Sequence, residues 1–214
     1  MSRRHIHQGR VIDVGVEDVV LPTGLRVTLD VIRHPGAACV IPLNGDRVTL
    51  IRQWRHCAGG YLWEAPAGTL HAGETPEQCA RRELVEEAGL LASELIHAGV
   101  IFTAPGFTDE KIHIYIARDC SPVPVARDED EVIVEIVQRR YDECLAMLAR
   151  GDLQDAKTIA GLMHARRYLS RGRAQAIDRG GSARDGERSA KTLDEHMTPV
   201  AVLVPESLRA SPEG

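Results

Sequence analysis

The chain has 214 residues, of which 43% are hydrophobic and 27% charged. This composition supports one folded domain with additions and excludes global disorder. Acidic residues outnumber basic ones by 31 to 26, giving a net charge of −5, which argues against the broad basic surface of non-specific nucleic-acid binding. No apolar run approaches the roughly 20 residues that span a bilayer, and no secretory signal follows the N-terminus. We therefore expect a soluble, cytoplasmic protein with no nucleic-acid or membrane partner.

In chain order, apolar alternation predicts strands and helical spacing predicts helices, in a mixture without strict βαβ alternation. The Asn44–Gly45–Asp46 turn between two apolar runs favours a hairpin. Such a mixture favours an α+β fold over a doubly wound parallel sheet. The predicted strands lie at 11–20, 25–31, 37–41, 48–51, 100–103, 112–117 and 132–137, and the predicted helices at about 76–88, 141–150 and 155–169.

The composition changes after residue 170. Residues 171–191 are dominated by Arg, Gly, Ser, Ala and Asp with almost no large apolar side chains, so we expect 171–214 to be a disordered or loosely docked tail. A late apolar island, Val200–Val204, could dock as an edge strand, although the flanking prolines limit its length.

The first predicted helix has clear start and stop signals. Thr75 can act as the N-cap, Pro76 suits the first helical position, and Gln78 completes a capping box. Gly89 follows the last helical residue, where a positive φ is easily adopted. The sequence therefore predicts a helix over 76–88.

Three glutamates share one face of this helix. Glu83, Glu86 and Glu87 are spaced by three and four residues, and like charges at that spacing weaken an isolated helix. Clustered carboxylate oxygens are what hard divalent cations such as Mg²⁺ bind, with water and substrate phosphate completing the shell. The alternative is a solvated acidic face without a ligand.

The residues around these acids carry a much more specific pattern. It reads Gly, five residues, Glu, seven residues, Arg-Glu, an aliphatic, any residue, Glu-Glu, any residue, Gly, an aliphatic, and it resembles the Nudix box. The resemblance implies a Nudix α/β/α sandwich, and every specified position is filled: Gly68, Glu74, Arg82, Glu83, Leu84, Glu86, Glu87, Gly89 and Leu90.

Flanking segments resemble one group within this family, the ADP-ribose pyrophosphatases. The likeness covers about residues 10–170. It implies a small additional N-terminal antiparallel β-sheet, residues 1–35, through which such enzymes form homodimers, followed by the Nudix domain at 36–170. The segments that carry it are Glu64–Gly68, Arg52–Arg55 with Gly59–Tyr61, Ala104–Glu110, Asp128–Val132, Gly151–Leu153 and Asp155–Thr158.

The resemblance also implies roles for individual residues. Mg²⁺, with Mn²⁺ as a possible substitute, would be bound by the Ala67 carbonyl, Glu83 and Glu87, with Glu86 assisting. A general base would come from the acidic loop 128–131, where we favour Glu129, and Glu86 and Glu87 would share in catalysis. Substrate would contact Arg55, Gly106 and Glu110, and structural support would come from Gly68, Glu74, Arg82 and Gly89.

The function implied is metal-dependent hydrolysis of the ADP-ribose pyrophosphate bond, giving AMP and ribose 5-phosphate. A different or broader nucleoside-diphosphate-sugar hydrolase, for example one acting on GDP-mannose, is the nearest alternative. A non-catalytic module that binds ADP-ribose is a second alternative, but it would be expected to have lost carboxylates that this chain retains. An enzyme acting on oxidised nucleoside triphosphates is a third, which the segment at Pro105 and the N-terminal strands disfavour.

Overall fold

The structure, a computed structural model, describes residues 2–125 and 132–178, with side chains described as far as residue 169. All described residues belong to one compact unit, Met1–Arg179. The strands are β1 Ser2–Gln8, β2 Asp13–Val20, β3 Arg26–Arg33, β4 Ala37–Asn44, β5 Arg47–Arg55, β6 Gly60–Glu64, β7 Ala67–Thr69, β8 Leu90–Phe102, β9 Lys111–Pro122 and β10 Ile133–Arg140; the helices are α1 Pro76–Ala88, α2 Tyr141–Arg150 and α3 Ala156–Asp178.

The strands form two sheets. An antiparallel three-stranded sheet has the order β1-β2-β3, and a mixed seven-stranded sheet has the order β10-β5-β4-β9-β8, with β6 paired to β5 and β7 to β4. Only β4 and β9 of the larger sheet run parallel. The predicted hairpin joins β4 to β5, and Gly45 adopts the positive φ of 63° that its turn requires.

Both faces of the larger sheet are covered by helices, because β4 is apolar on both sides. Ala38 and Val40 face α1 and pack with Leu84, whereas Ile41 faces the other side and packs with Leu162 of α3. This alternation follows the two-residue period of a strand. The α+β class and the α/β/α sandwich with an additional N-terminal sheet are therefore confirmed.

Several predicted boundaries were wrong. The N-terminal sheet has a third strand, β1, whose residues are all exposed and therefore show no alternating burial pattern. Strand β8 begins at Leu90, ten residues before the predicted start, and the short strands β6 and β7 were not predicted. Helix α3 continues to Asp178 instead of ending at residue 169, since the Arg, Ala and Gln of this stretch are good helix formers.

The tail boundary predicted at residue 171 thus falls inside α3. The remainder of the tail, including Val200–Val204, lies outside the described residues, as does the acidic loop 128–131. Within the part of the chain that is described, no helix is long and apolar enough to cross a membrane.

Candidate active site

A cleft of about 800 Å³ lies where the ends of several elements meet. It is bordered by β5, by β7 and the loop after it, by one face of α1, and by the first residues of β9 and α3. Both signs of charge line it. The charged residues are Arg10, Arg55, Arg82, Glu83, Glu86, Glu110 and Lys157.

The local sequence fixes helix α1 at this cleft. The Gln78 amide donates to Thr75 Oγ1 at 3.3 Å, and the Thr75 amide donates to Gln78 Oε1 at 2.9 Å, so the predicted capping box forms. Gly89 ends the helix in the left-handed region with φ of 62°. These two ends set the rotation and the length of the helix that presents the glutamates.

Glu83 and Glu87 lie buried against the β7 backbone. Glu83 is 5% exposed and Glu87 fully buried, and the Ala67 amide donates to Glu87 Oε2 at 2.7 Å. A Cβ on Gly68 would stand only 1.6 Å from Glu83 Oε1, so glycine is required for the carboxylate to lie against this segment. The structure thus brings Glu83, Glu87, Ala67 and Gly68 together.

Arg82 connects the other acids of the helix. Its guanidinium donates to Glu74 through Nε at 2.9 Å and Nη2 at 3.0 Å, and its Nη1 donates to Glu83 Oε1 at 2.6 Å and Glu86 Oε2 at 2.9 Å. The hydrogen bonds from Arg82 lower the pKa of Glu74 from 4.5 to about 2. Their acceptors raise the pKa of Arg82 above its already high usual value, Glu74 contributing most. Arg82 therefore stays charged and fixes these side chains.

The donor set fits a hard divalent cation with an incomplete protein shell. Among the described residues, no three His, Cys, Asp or Glu side chains converge as a complete cage, and both Glu83 and Glu86 accept a hydrogen bond from Arg82. Two buried carboxylates beside the Ala67–Gly68 peptide remain, and Mg²⁺ is commonly held by one or two carboxylates together with water and substrate phosphate. Glu83 and Glu87 are the side chains that would hold such an ion.

A second ionic network lies across the cleft and was not predicted. Glu64 is 1% exposed, accepts from Arg55 Nε and Nη2 at 2.7 Å each, and accepts from Lys157 Nζ at 2.5 Å. Desolvation acts to raise the pKa of Glu64, but the hydrogen bonds and charges of Arg55 and Lys157 outweigh it, and the pKa is lowered. Lys157 also donates to Asp155 at 3.0 Å. Since Glu64 and Lys157 are 93 residues apart, no local pattern could pair them.

The start of helix α3, which carries Lys157, also anchors the segment that precedes β7. Asp155 Oδ2 accepts from the Thr158 amide at 2.9 Å and from Thr158 Oγ1 at 2.6 Å. The hydroxyl of Thr158 in turn accepts from the Ala65 amide at 2.7 Å. Residues 65–67 are therefore held from both sides, by α3 at Ala65 and by Glu87 at Ala67.

The predicted substrate residues fall in different places. Arg55 and Glu110 line the cleft, and Glu110 Oε2 accepts from Thr103 Oγ1 at 2.8 Å. Gly106 is not among the described residues that line the cleft. Glu129 lies outside the described residues. The roles of all four remain predictions.

The loop that carries Gly106 and Glu110 is tied to the N-terminal sheet. The Ile32 amide donates to the Phe107 carbonyl at 2.7 Å, and the Asp109 amide donates to the Ile32 carbonyl at 3.2 Å. Arg33 Nη1 donates to Asp109 at 3.0 Å. Strand β3 thus reaches the edge of the cleft through this loop.

The sequence profile of the NUDIX domain matches residues 32–161, a span that contains Glu83 and Glu87 and ends within α3. The chain belongs to the Nudix family of pyrophosphohydrolases, and the matched span includes most of the residues that line the cleft described above.

Curated relatives cover most of the chain. It is 35% identical over 167 residues to the ADP-ribose pyrophosphatase of Bacillus subtilis, covering 77% of this chain and 90% of that protein. It is 34% identical to the ADP-ribose pyrophosphatase of Mycobacterium tuberculosis, covering 76% and 80%. A GDP-mannose pyrophosphatase from Cronobacter sakazakii is 32% identical, covering 63% and 79%.

A solved structure supports the same fold. The crystal structure of an ADP compounds hydrolase superposes with a TM-score of 0.69 at 23% identity, covering 79% of this chain and 92% of the other. At that identity the likeness concerns the fold alone.

Proposed function

We propose that the protein hydrolyses the pyrophosphate bond of ADP-ribose, giving AMP and ribose 5-phosphate. The observation that carries the proposal is the pair of buried carboxylates, Glu83 and Glu87, held against the Ala67–Gly68 backbone beside a cleft that Glu83, Arg55 and Lys157 line. This combination suits a metal-bound diphosphate. The ADP-ribose moiety is supported by the two relatives named as ADP-ribose pyrophosphatases at 34–35% identity.

In the proposed reaction, the acidic residues bind the metal and Arg55 binds the diphosphate. Glu83 and Glu87 would hold a divalent cation, with the Ala67 carbonyl as a further oxygen ligand and Glu86 assisting. Bound there, the cation neutralises diphosphate charge and lowers the pKa of a water molecule. Arg55 lines the cleft, and its guanidinium matches the geometry of a phosphate.

The proton of the attacking water needs an acceptor, for which we propose Glu129 in the acidic loop. A loop carboxylate can take this proton as the water attacks one phosphorus in line. Glu129→Gln is expected to lower kcat by about 10²–10⁴-fold while leaving the affinity for the metal unchanged. Asp128→Asn is the matched control, and if it causes the larger loss, the base is assigned to the wrong residue.

Mg²⁺ is the cation that we propose, with Mn²⁺ as a substitute. Chelation with EDTA is expected to abolish turnover while the circular dichroism spectrum is unchanged, since the sheet and both core clusters do not depend on the ion. Addition of Mg²⁺ in excess should restore the rate. Full activity after exhaustive chelation would contradict the proposal.

The decisive assay compares substrates under one condition. Purified protein with Mg²⁺ is given ADP-ribose, GDP-mannose, NADH and diadenosine polyphosphates, and the products are separated by ion-exchange chromatography. We expect AMP and ribose 5-phosphate from ADP-ribose, with kcat/KM at least about tenfold above the others, which is a difference of ~1.4 kcal/mol. A smaller preference would favour a broad nucleoside-diphosphate-sugar hydrolase, in keeping with the GDP-mannose pyrophosphatase relative.

We also propose a homodimer formed through the N-terminal sheet, and a cytoplasmic location. Strands of that sheet expose apolar side chains, among them Ile6, Val20 and Leu29, and exposed apolar surface of this kind favours a partner. The free thiols of Cys39, Cys79 and Cys144 are consistent with a reducing compartment. A monomer mass in light scattering would contradict the dimer.

A further inference from the structure

Two cations share one buried carboxylate at the edge of the cleft. Glu64 is 1% exposed and accepts from both Arg55 and Lys157, at 2.5–2.7 Å. The Lys157 side chain is 14% exposed and that of Arg55 38% exposed. Lysine therefore occupies the more buried side of the carboxylate, and arginine the more exposed side.

The net charge of this network determines how strongly Arg55 can attract an anionic substrate. Arg55 and Glu64 alone form a neutral pair, and Asp155 adds a second negative charge beside Lys157. With Lys157 the group of four is neutral; without it the group carries one net negative charge next to the site of an anionic diphosphate. In a partly buried site such a charge is poorly screened by water.

We propose that Lys157 is a positioning residue for substrate binding, which offsets the charge of Glu64 so that the charge of Arg55 acts on the substrate diphosphate. The inference rests on the proposed function, because it takes the ligand of Arg55 to be a nucleoside diphosphate. It gives a role to the Asp155–Thr158 segment, which the sequence singles out at the start of α3 and which the metal site does not use. Lys157 is held by Glu64 and Asp155 and acts through them.

Substitution of Lys157 by methionine and by arginine tests whether its charge or its shape matters. Lys157→Met keeps the bulk but removes the charge, and is expected to raise KM for ADP-ribose at least about tenfold with kcat within about twofold, the pattern of lost uniform binding. Lys157→Arg should stay within about threefold of wild type. Arg118→Met, which removes an exposed cation of β9 that is not among the residues lining the cleft, is the matched control and should leave KM unchanged.

A charge-compensating double variant separates this role from a merely structural one. Removing the charge of Glu64 as well, in the Glu64→Gln/Lys157→Met protein, restores the balance and is expected to bring KM back to within about threefold of wild type. A structural role predicts the opposite, because the double variant loses more buried ion pairs than the single one. A double variant as impaired as Lys157→Met would overturn the inference.

Binding measured without turnover provides a second readout. Calorimetric titration with α,β-methylene-ADP-ribose should give the same order of affinities as the KM values. If Lys157→Met does not fold, Lys157→Gln removes the charge with a polar side chain and carries the same test. An Arg55→Ala variant with unchanged affinity would refute the proposed function of Arg55 itself, whereas an effect of Arg55→Ala without an effect of Lys157→Met would refute only the role of Lys157.

Discussion

Replacing Gly68 with alanine is the most direct test of the carboxylate arrangement, because the structure predicts where the added methyl group would go. The new Cβ would lie 1.6 Å from Glu83 Oε1, 2.2 Å from Cδ and 2.9 Å from Oε2. To reach the shortest ordinary contact of 3.4 Å, Oε1 must retreat by about 1.8 Å. Glu83 cannot do so without breaking its 2.6 Å bond to Arg82, and it is 5% exposed, so little free space surrounds it.

Displacement of the Glu83 carboxylate by this distance should weaken metal binding and lower the rate of hydrolysis more than it lowers the stability of the fold. Overpacking costs about 1–3 kcal/mol, which a domain stabilised by ~5–15 kcal/mol tolerates. A shift above 1 Å at a reacting centre can cost about 10²-fold in rate, so we expect kcat to fall by at least that factor. Mg²⁺ activation should move to higher concentrations in the same variant.

The assay is kcat against Mg²⁺ concentration, with thermal melts to show that the variant is folded. Gly60→Ala is the matched control, since a Cβ there meets no atom within 4 Å, and it should behave as wild type. Wild-type rate and metal dependence in Gly68→Ala would refute the reasoning, because the Glu83 carboxylate would then not need its place against the β7 backbone.

Three further predictions follow from the geometry. Glu87→Gln, which can still accept from the Ala67 amide but has lost its charge, should lower kcat at least about 10²-fold, whereas Glu77→Gln on the exposed side of α1 should not; near-normal turnover of the first would refute its ligand role. Since Arg82 lowers the pKa of Glu74 from 4.5 to about 2, the stabilisation from this pair is complete above pH 4.5 and is lost as the pH falls towards 2. The free energy of unfolding, measured with urea, should therefore change less between pH 7 and pH 3 in Glu74→Gln than in the wild type. An equal change in the two proteins would count against the prediction. Burial raises the pKa of Cys79 to about 12 while Cys57 is exposed, so a thiol reagent at pH 8 should modify Cys57 rapidly and Cys79 only after unfolding; rapid loss of both thiols in the folded protein is the contrary result.

Features encoded within a few residues were predictable. Helix α1 has the predicted bounds because its cap residues, Thr75 and Gln78, act on their own helix start and Gly89 on its end. The shared face of Glu83 and Glu87 follows from helical periodicity. The contacts of Arg82 with Glu74 and Glu86 also lie within eight residues of one another, within reach of a sequence-based argument.

Features that depend on distant residues were not predictable. Strand β8 pairs with β9 across a register shift between His97 and Gly99, and such a bulge interrupts the alternation by which strands are recognised. The ion pairs of Glu64 join β6 to α3, and the sequence neighbours of Glu64 and Lys157 give no sign that the two side chains meet.

The bonds between Ile32 and the loop at Phe107 and Asp109 limit how far this enzyme can be trimmed. A shortened protein spanning only the profile match, residues 32–161, would lose the strands that support Ile32, and it would also lose Leu162 and Ala165, both fully buried. The Nudix box, Gly68 to Leu90, therefore cannot be separated from the strands and helices that support it. Grafting the box onto another protein would transfer the acids without the backbone that keeps them in place.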